Sequence, residues 1–166
     1  MFNRNIFRTK KFGWVKFFLI FIILYFFLNL WQQRDLPTGK APPISGIGVN
    51  GNYLSSEELT DSPTLVYFWA TWCKICSFTF QNIKNISNDY QVLSIAIDSG
   101  SKAEIKEYIK GREIPVILDT SGKIKKDWNV KGVPSFFIIG KEGDIKFAKV
   151  GYISELHIRA YLALYQ

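Results

Sequence analysis

Leu65-Val66-Tyr67-Phe68-Trp69-Ala70-Thr71-Trp72-Cys73-Lys74-Ile75-Cys76 carries both cysteines of this 166-residue chain. Thr64 to Ala70 forms a run dominated by apolar and β-forming residues. Its length and composition predict a strand buried on both faces. Downstream, Cys76, Phe80, Ile83 and Ile86 recur at steps of four and three. That spacing predicts a helix over 74–87 with these residues on one face. The cysteine pair therefore falls where a buried strand gives way to a helix.

This placement has chemical consequences. At a helix N-terminus, free N–H groups and the macrodipole favour an anion, so the Cys73 thiolate is stabilised. Lys74 adds a positive charge that pushes its pKa the same way. Cys76, one turn on and more buried, is placed to resolve a mixed disulfide by attacking the Cys73 sulfur. Exchange needs one exposed attacking thiol and one close resolving thiol. Two thiolates are only half of a tetrahedral zinc site, and the sequence offers no second pair. A purely structural disulfide here would close a tiny loop and stabilise little. His157, the single histidine, falls in the terminal helix near its cap. A redox-active pair is the reading that remains, with no metal and no cofactor expected.

Outward from this core, strands and helices alternate. Ile44 to Leu54 encloses Asn50-Gly51, a hairpin signal. Val92 to Ile97 reads as a second buried strand. Ser101 and Glu104 form a capping box for a helix ending near Gly111, with Ile105, Tyr108 and Ile109 on its core face. Val116 to Leu118 is a short strand. Phe136–Ile139 and Ile145–Val150 flank the turn Lys141-Glu142-Gly143-Asp144, as an antiparallel hairpin would. Ser154 is the expected N-cap of a last helix, with Ile153 and Ile158 as a hydrophobic staple. This order predicts an α/β domain over 44–166, a mixed central sheet flanked by helices. Val133-Pro134 opens one strand. It is either an edge or turn proline or a cis peptide beside the cysteines that leaves the Val133 backbone free for an extended substrate.

The N-terminal residues differ in kind. No charge occurs between Lys16 and Arg34, and Phe17 to Leu30 is apolar or aromatic except for Asn29. As a helix, Trp14 to Trp31 would reach about 27 Å, close to a hydrocarbon core of about 30 Å. Residues 14–33 are thus expected to form a single transmembrane anchor with Trp14 and Trp31 at its interfaces. A cleaved signal would show small residues, but Trp31-Gln32-Gln33-Arg34-Asp35 follows. A buried core helix would show polar positions at helical spacing. Residues 1–13 form a short basic segment, expected in the cytosol. Residues 34–43, with three prolines and a glycine, read as an extended linker that prevents helix and sheet.

Composition narrows the function classes. Hydrophobic residues make up 48% and charged residues 21%, which excludes a disordered chain. The net charge of +7 suggests nucleic acid, yet residues 1–16 hold five basic side chains and no acid. The remainder is nearly neutral, so no nucleic-acid partner is expected.

The stretch Leu65–Cys76 resembles the active-site signature of thioredoxin-like proteins. Its Phe-Trp-Ala-Thr-Trp-Cys form is similar to the membrane-anchored TlpA-like branch. Lys131-Gly132-Val133-Pro134-Ser135-Phe136-Phe137-Ile138-Ile139 resembles the cis-proline segment of that family. The Cys-x-x-Cys-Ser-Phe-Thr continuation and basic-then-anchor start look closest to the ScsD type, linked to copper-sensitivity suppression. The resemblance implies a thioredoxin-like fold and a thiol:disulfide oxidoreductase in the bacterial inner membrane, its C-terminal domain in the periplasm. It implies Cys73 as nucleophile, Cys76 as resolving thiol, and Trp72, Val133 and cis-Pro134 at the substrate surface. It also implies periplasmic protein disulfides as substrates and a membrane electron donor of the DsbD or ScsB type. Three departures stand out. Tyr67 replaces a buried aspartate, removing the usual carboxylate relay. Ile75 and Gln81 replace two prolines. Ser135 replaces the glutamate of many cytochrome c maturation members. Reduction of disulfides is the favoured direction, because Ile97 to Val133 has no room for a large inserted helical domain. A disulfide-forming oxidase is one alternative. So are a cytochrome c maturation thioredoxin, which Ser135 disfavours, and a Cu(I)-handling module, although Met1 is the only methionine.

Overall fold

A computed structural model describes residues 6–33, 36–58, 62–112 and 114–166, with side chains of the first helix described over residues 14–28. The chain divides into two units, Met1–Asp35 and Leu36–Gln166. The first contains a 28-residue helix, α1 (Ile6–Gln33). Its apolar side chains between Trp14 and Leu28 are all exposed. Among the described residues, no helix is long and apolar enough to cross a membrane. The side chains of the expected basic segment 1–13, that of Trp31, and linker residues Arg34 and Asp35 lie outside the described residues.

The second unit is built on a six-stranded mixed sheet. Its strands are β1 (Gly39–Lys40), β4 (Thr64–Trp69), β5 (Gln91–Ile97), β6 (Val116–Asp119), β7 (Ser135–Ile139) and β8 (Asp144–Val150), in the order β1-β8-β7-β4-β5-β6. A separate hairpin pairs β2 (Ser45–Ile47) with β3 (Tyr53–Ser55). Strands β4, β5 and β6 run parallel, while β7 and β8 are antiparallel. The helices are α2 (Lys74–Ile86), α3 (Lys102–Tyr108), α4 (Lys123–Asp127) and α5 (Glu155–Leu164).

All six residues of β4 are buried. Alternation divides them between two cores. Leu65, Tyr67 and Trp69 join Phe80, Ile83 and Ile86 of α2, Ile105 of α3, and Ile158 and Leu162 of α5. Val66 and Phe68 join Ile95, Ile117, Phe137 and Trp128 on the other face. The sequence expectation of a strand buried on both faces is met. The α2 stripe is met too, with Thr79 added to its buried face. The capping box at Ser101 and Glu104 is formed in both directions.

One expectation needs correction, and three features add to the reading. The linker does not exclude sheet: Gly39 pairs with Ile145 and Lys40 with Asp144. Both residues carry the N–H groups that its prolines lack, so a two-residue edge pairing is possible. The second unit includes these residues. The expected N-terminal hairpin is present and turns through five residues, Gly48 to Asn52, with Gly48 N–H donating to the Asn52 carbonyl at 2.7 Å. This loop lets Val49 bury itself and donate to the Val116 carbonyl at 2.9 Å. Helix α4 was not expected. Its N-terminal N–H groups, from Ile124 and Lys125, are held at 3.2 and 2.8 Å by the carboxylate of Asp119, which belongs to β6. Finally, Ser154 caps α5 in position only. Its hydroxyl meets His157 Nδ1 at 2.6 Å instead of a backbone N–H.

Packing predicts a contrast within one helix. Ile83 has no solvent exposure, whereas Phe78 is 69% exposed. Ile83→Ala is expected to lower the free energy of unfolding by about 2–5 kcal/mol. Phe78→Ala is expected to change it by less than about 0.5 kcal/mol. Denaturant unfolding of the two variants measures the difference; equal losses would contradict the assigned faces.

Candidate active site

Strand β4 ends at Trp69, and the chain reaches α2 through Ala70, Thr71, Trp72 and Cys73. The turn closes with Cys73 N–H donating to the Ala70 carbonyl at 3.1 Å. Cys73 is the N-cap of α2, with extended backbone. Its sulfur accepts from the Cys76 N–H at 3.1 Å. Cys73 and Cys76 are joined by a disulfide, their Cα atoms 5.2 Å apart. In the reduced protein the same N–H would meet a Cys73 thiolate at the positive end of a 13-residue helix. The expected difference in access holds in rank but not in degree. Cys73 is the more accessible of the two, yet it is only 6% exposed, and Cys76 is fully enclosed. Enclosure comes from the surrounding core, because both cysteines belong to the same buried cluster as Tyr67, Phe80 and Phe136.

Trp72 stands beside the pair and is 66% exposed. Its Nε1 donates to the Asp98 carbonyl at 2.9 Å. Lys74 is exposed and follows Cys73 directly, so its charge is available to a thiolate through solvent. The Val133-Pro134 peptide is cis, as the resemblance implied. It lies one residue beyond the Phe68–Ser135 pair, at the end of β4 from which the chain runs on to Cys73. The Pro134 carbonyl accepts from Gly151 N–H at 2.8 Å. Val133 packs against the cluster that contains the cysteines. Ser135, where the resemblance allowed a glutamate, is buried and donates to the Gly132 carbonyl at 2.6 Å. A neutral hydroxyl there leaves this loop without a buried charge.

One part of the site was not legible in sequence, and for another, singled out only by resemblance, the contacts were not. The first is the loop after β5. Thr71 N–H donates to Ser99 Oγ at 3.0 Å, and Thr71 Oγ1 donates to the Ser99 carbonyl at 3.2 Å. Asp98 adopts a left-handed backbone, φ 47°, and its carboxylate pairs with Lys125 at 2.6 Å. This loop holds Thr71 and Trp72 in place across 26 to 28 residues of chain, so no local pattern announces it. The other is Tyr67. Its phenol lies 3.3 Å from the Cys76 carbonyl and 3.0 Å from Thr79 Oγ1. Burial pushes its pKa well above the usual phenol value, so it remains a protonated donor and not a base. Among the described residues, no cluster of three or more His, Cys, Asp or Glu side chains could hold a metal ion.

The arrangement equips this end of the sheet for thiol–disulfide exchange, and the chain's relatives agree. A thioredoxin-like protein of Haemophilus influenzae is 29% identical over 152 residues, covering 88% of this chain and 90% of that protein. The thiol:disulfide interchange protein DsbE of Pseudomonas aeruginosa is 29% identical over 161 residues, covering 90% and 88%. Among solved structures, the exposed lipoprotein thioredoxin Etrx1 of Streptococcus pneumoniae superposes with a TM-score of 0.67 at 25% identity, covering 74% of this chain and 99% of that one. The fold is therefore thioredoxin-like. Residues 37–148 match the AhpC/TSA family, and with a bridged Cys-x-x-Cys pair at the mouth of that fold the chain belongs to this family as a thiol–disulfide oxidoreductase.

Proposed function

We propose that this protein is a membrane-tethered reductase of disulfides in periplasmic proteins, drawing electrons from a membrane donor of the DsbD or ScsB type. The observation that carries the chemistry is the Cys76 N–H aimed at Cys73 Sγ from 3.1 Å at a helix N-terminus. In the dithiol form, the Cys73 thiolate attacks one sulfur of a substrate disulfide and displaces the other as a thiolate, which takes up a proton. Cys76 then loses its proton and attacks Cys73 Sγ. The substrate leaves with its second thiol, and the Cys73–Cys76 disulfide is formed. Two electrons and two protons pass to the substrate, and the donor's dithiol restores them. Trp72 and the Val133-Pro134 segment are the surface against which the substrate strand lies, with the exposed indole on one side.

The direction is supported by what lies between β5 and β7. That interval contains a seven-residue helix, a four-residue strand and a five-residue helix, leaving no space for an inserted substrate-capture domain. The tether is supported by the exposed apolar side chains between residues 14 and 28, which follow the basic segment 1–13. We infer a single pass through the inner membrane, with residues 1–13 in the cytosol. The likeness to the ScsD type rests on the Ser-Phe-Thr continuation after the cysteine pair, Ser77 to Thr79, and on the basic-then-anchor start.

Acid quench and thiol alkylation of living cells should find Cys73 and Cys76 mostly reduced, and oxidised once the membrane donor is deleted. A pair that is oxidised whether or not any donor is present would point to an oxidase instead. Cys76→Ser should accumulate mixed disulfides through Cys73 that dissolve on reduction; cells free of such adducts would remove protein disulfides as the substrate. Membranes washed at alkaline pH should retain the full chain until detergent is added, and recovery in the soluble fraction would rule out the tether.

A further inference from the structure

The hydroxyls of Tyr67 and Thr79 lie under the active-site turn and take no part in the exchange steps. Tyr67 is fully buried on β4, and Thr79 is 1% exposed on α2. Tyr67 Oη lies 3.0 Å from Thr79 Oγ1. Thr79 Oγ1 in turn lies 3.0 Å from the Cys76 carbonyl and 3.4 Å from the Ile75 carbonyl. The Ile75 carbonyl shares its peptide with the Cys76 N–H, the group that donates to Cys73 Sγ. The contacts thus form one path: phenol, threonine hydroxyl, peptide, sulfur.

The two hydroxyls supply two hydrogens and can place them in two ways. In one, the phenol donates to Thr79 Oγ1, and the threonine hydrogen goes to the carbonyl of Cys76 or of Ile75. In the other, threonine donates to the phenol, which donates to the Cys76 carbonyl at 3.3 Å. Each makes two hydrogen bonds, and the first is the one that reaches the Ile75 carbonyl. Burial keeps the phenol protonated and able to head the path. A hydrogen bond accepted at a peptide oxygen polarises that peptide and strengthens donation by its N–H, the more so in a dry interior.

We propose that Tyr67 is a positioning residue for the nucleophile: through Thr79 and the Ile75–Cys76 peptide it strengthens the N–H bond to Cys73 Sγ and so favours the Cys73 thiolate. The inference rests on Cys73 being the attacking sulfur. It is independent of which way electrons flow, and of substrate and donor. Around the pair, the titratable side chains are Lys74 on α2 itself, Asp98 paired with Lys125 beyond Trp72, Tyr67 from β4 and Tyr108 from α3. Of these, only Tyr67 is joined by hydrogen bonds to the peptide that meets the sulfur.

The test is a pH titration of the reduced full chain, following the ultraviolet absorbance of the thiolate and the rate of alkylation by iodoacetamide. Tyr67→Phe keeps the ring that stacks on Phe136 and removes only the hydroxyl. It should raise the Cys73 midpoint and lower the thiolate fraction below that midpoint about two- to threefold, the size of losing about 10–30% of a charge-assisted hydrogen bond. Thr79→Val should do the same, Thr79→Ser should keep the parent midpoint, and the double variant should add nothing to Thr79→Val. An unchanged midpoint in folded Tyr67→Phe overturns the proposal. Should that variant not fold, equal midpoints for Thr79→Val and Thr79→Ser overturn it. If no thiolate titrates at Cys73 in the parent, the nucleophile assignment itself fails, which is a separate result.

Discussion

Strand β4 is the member on which the rest of the structure depends. Six consecutive residues without solvent contact must satisfy every backbone group through neighbouring strands. They do so with β5 on one side and β7 on the other. The side chains alternate into two cores, so the strand fixes which helices cover which face. It also fixes where the chain must emerge. At Trp69 the sheet ends and the next residues have to turn, which brings Cys73 to the start of α2. The chemistry therefore sits at this place because a doubly buried strand can deliver a polar turn only at its end.

Much of this was legible because the relevant signals are local. The apolar run at 64–70, the four-and-three spacing in α2, and the Ser101–Glu104 capping box each lie within a few residues. The cysteine pair was legible for the same reason: its spacing and its strand-to-helix setting are read from one stretch. The parts that escaped depend on partners far along the chain. Helix α4 has a left-handed glycine at its N-cap, Gly122, and no side-chain cap of its own. Its start is held by Asp119, a strand residue. Gly39 and Lys40 become a strand only because β8 offers an open edge some hundred residues later. The role of Ser99 in holding Thr71 belongs to the same class.

The degree of burial at the site also follows from tertiary packing. Sequence placed Cys73 at the helix N-terminus, where attack requires access. The core that encloses Cys76 draws close around Cys73 as well, leaving 6% of it open. That accessible part of Cys73 lies next in sequence to the exposed indole of Trp72. Tyr67 illustrates the complementary point. A tyrosine inside an apolar run reads as core, and it is core, with Phe136 stacked on it at 5.1 Å. Its hydroxyl nevertheless ends beneath the reactive helix.

The short pairing of Gly39–Lys40 with β8 has a consequence at the other end of the sheet as well, because the hairpin does the corresponding job there. Gly48 bridges to Ile117 and Val49 bonds to Val116, both of β6. Strands β8 and β6 thus each have part of their outer edge covered by residues 39–49 of the same chain. Open strand edges invite pairing with other molecules and lead to aggregation. Covering both with one stretch that precedes Cys73 gives a self-made barrier against fibril-like growth.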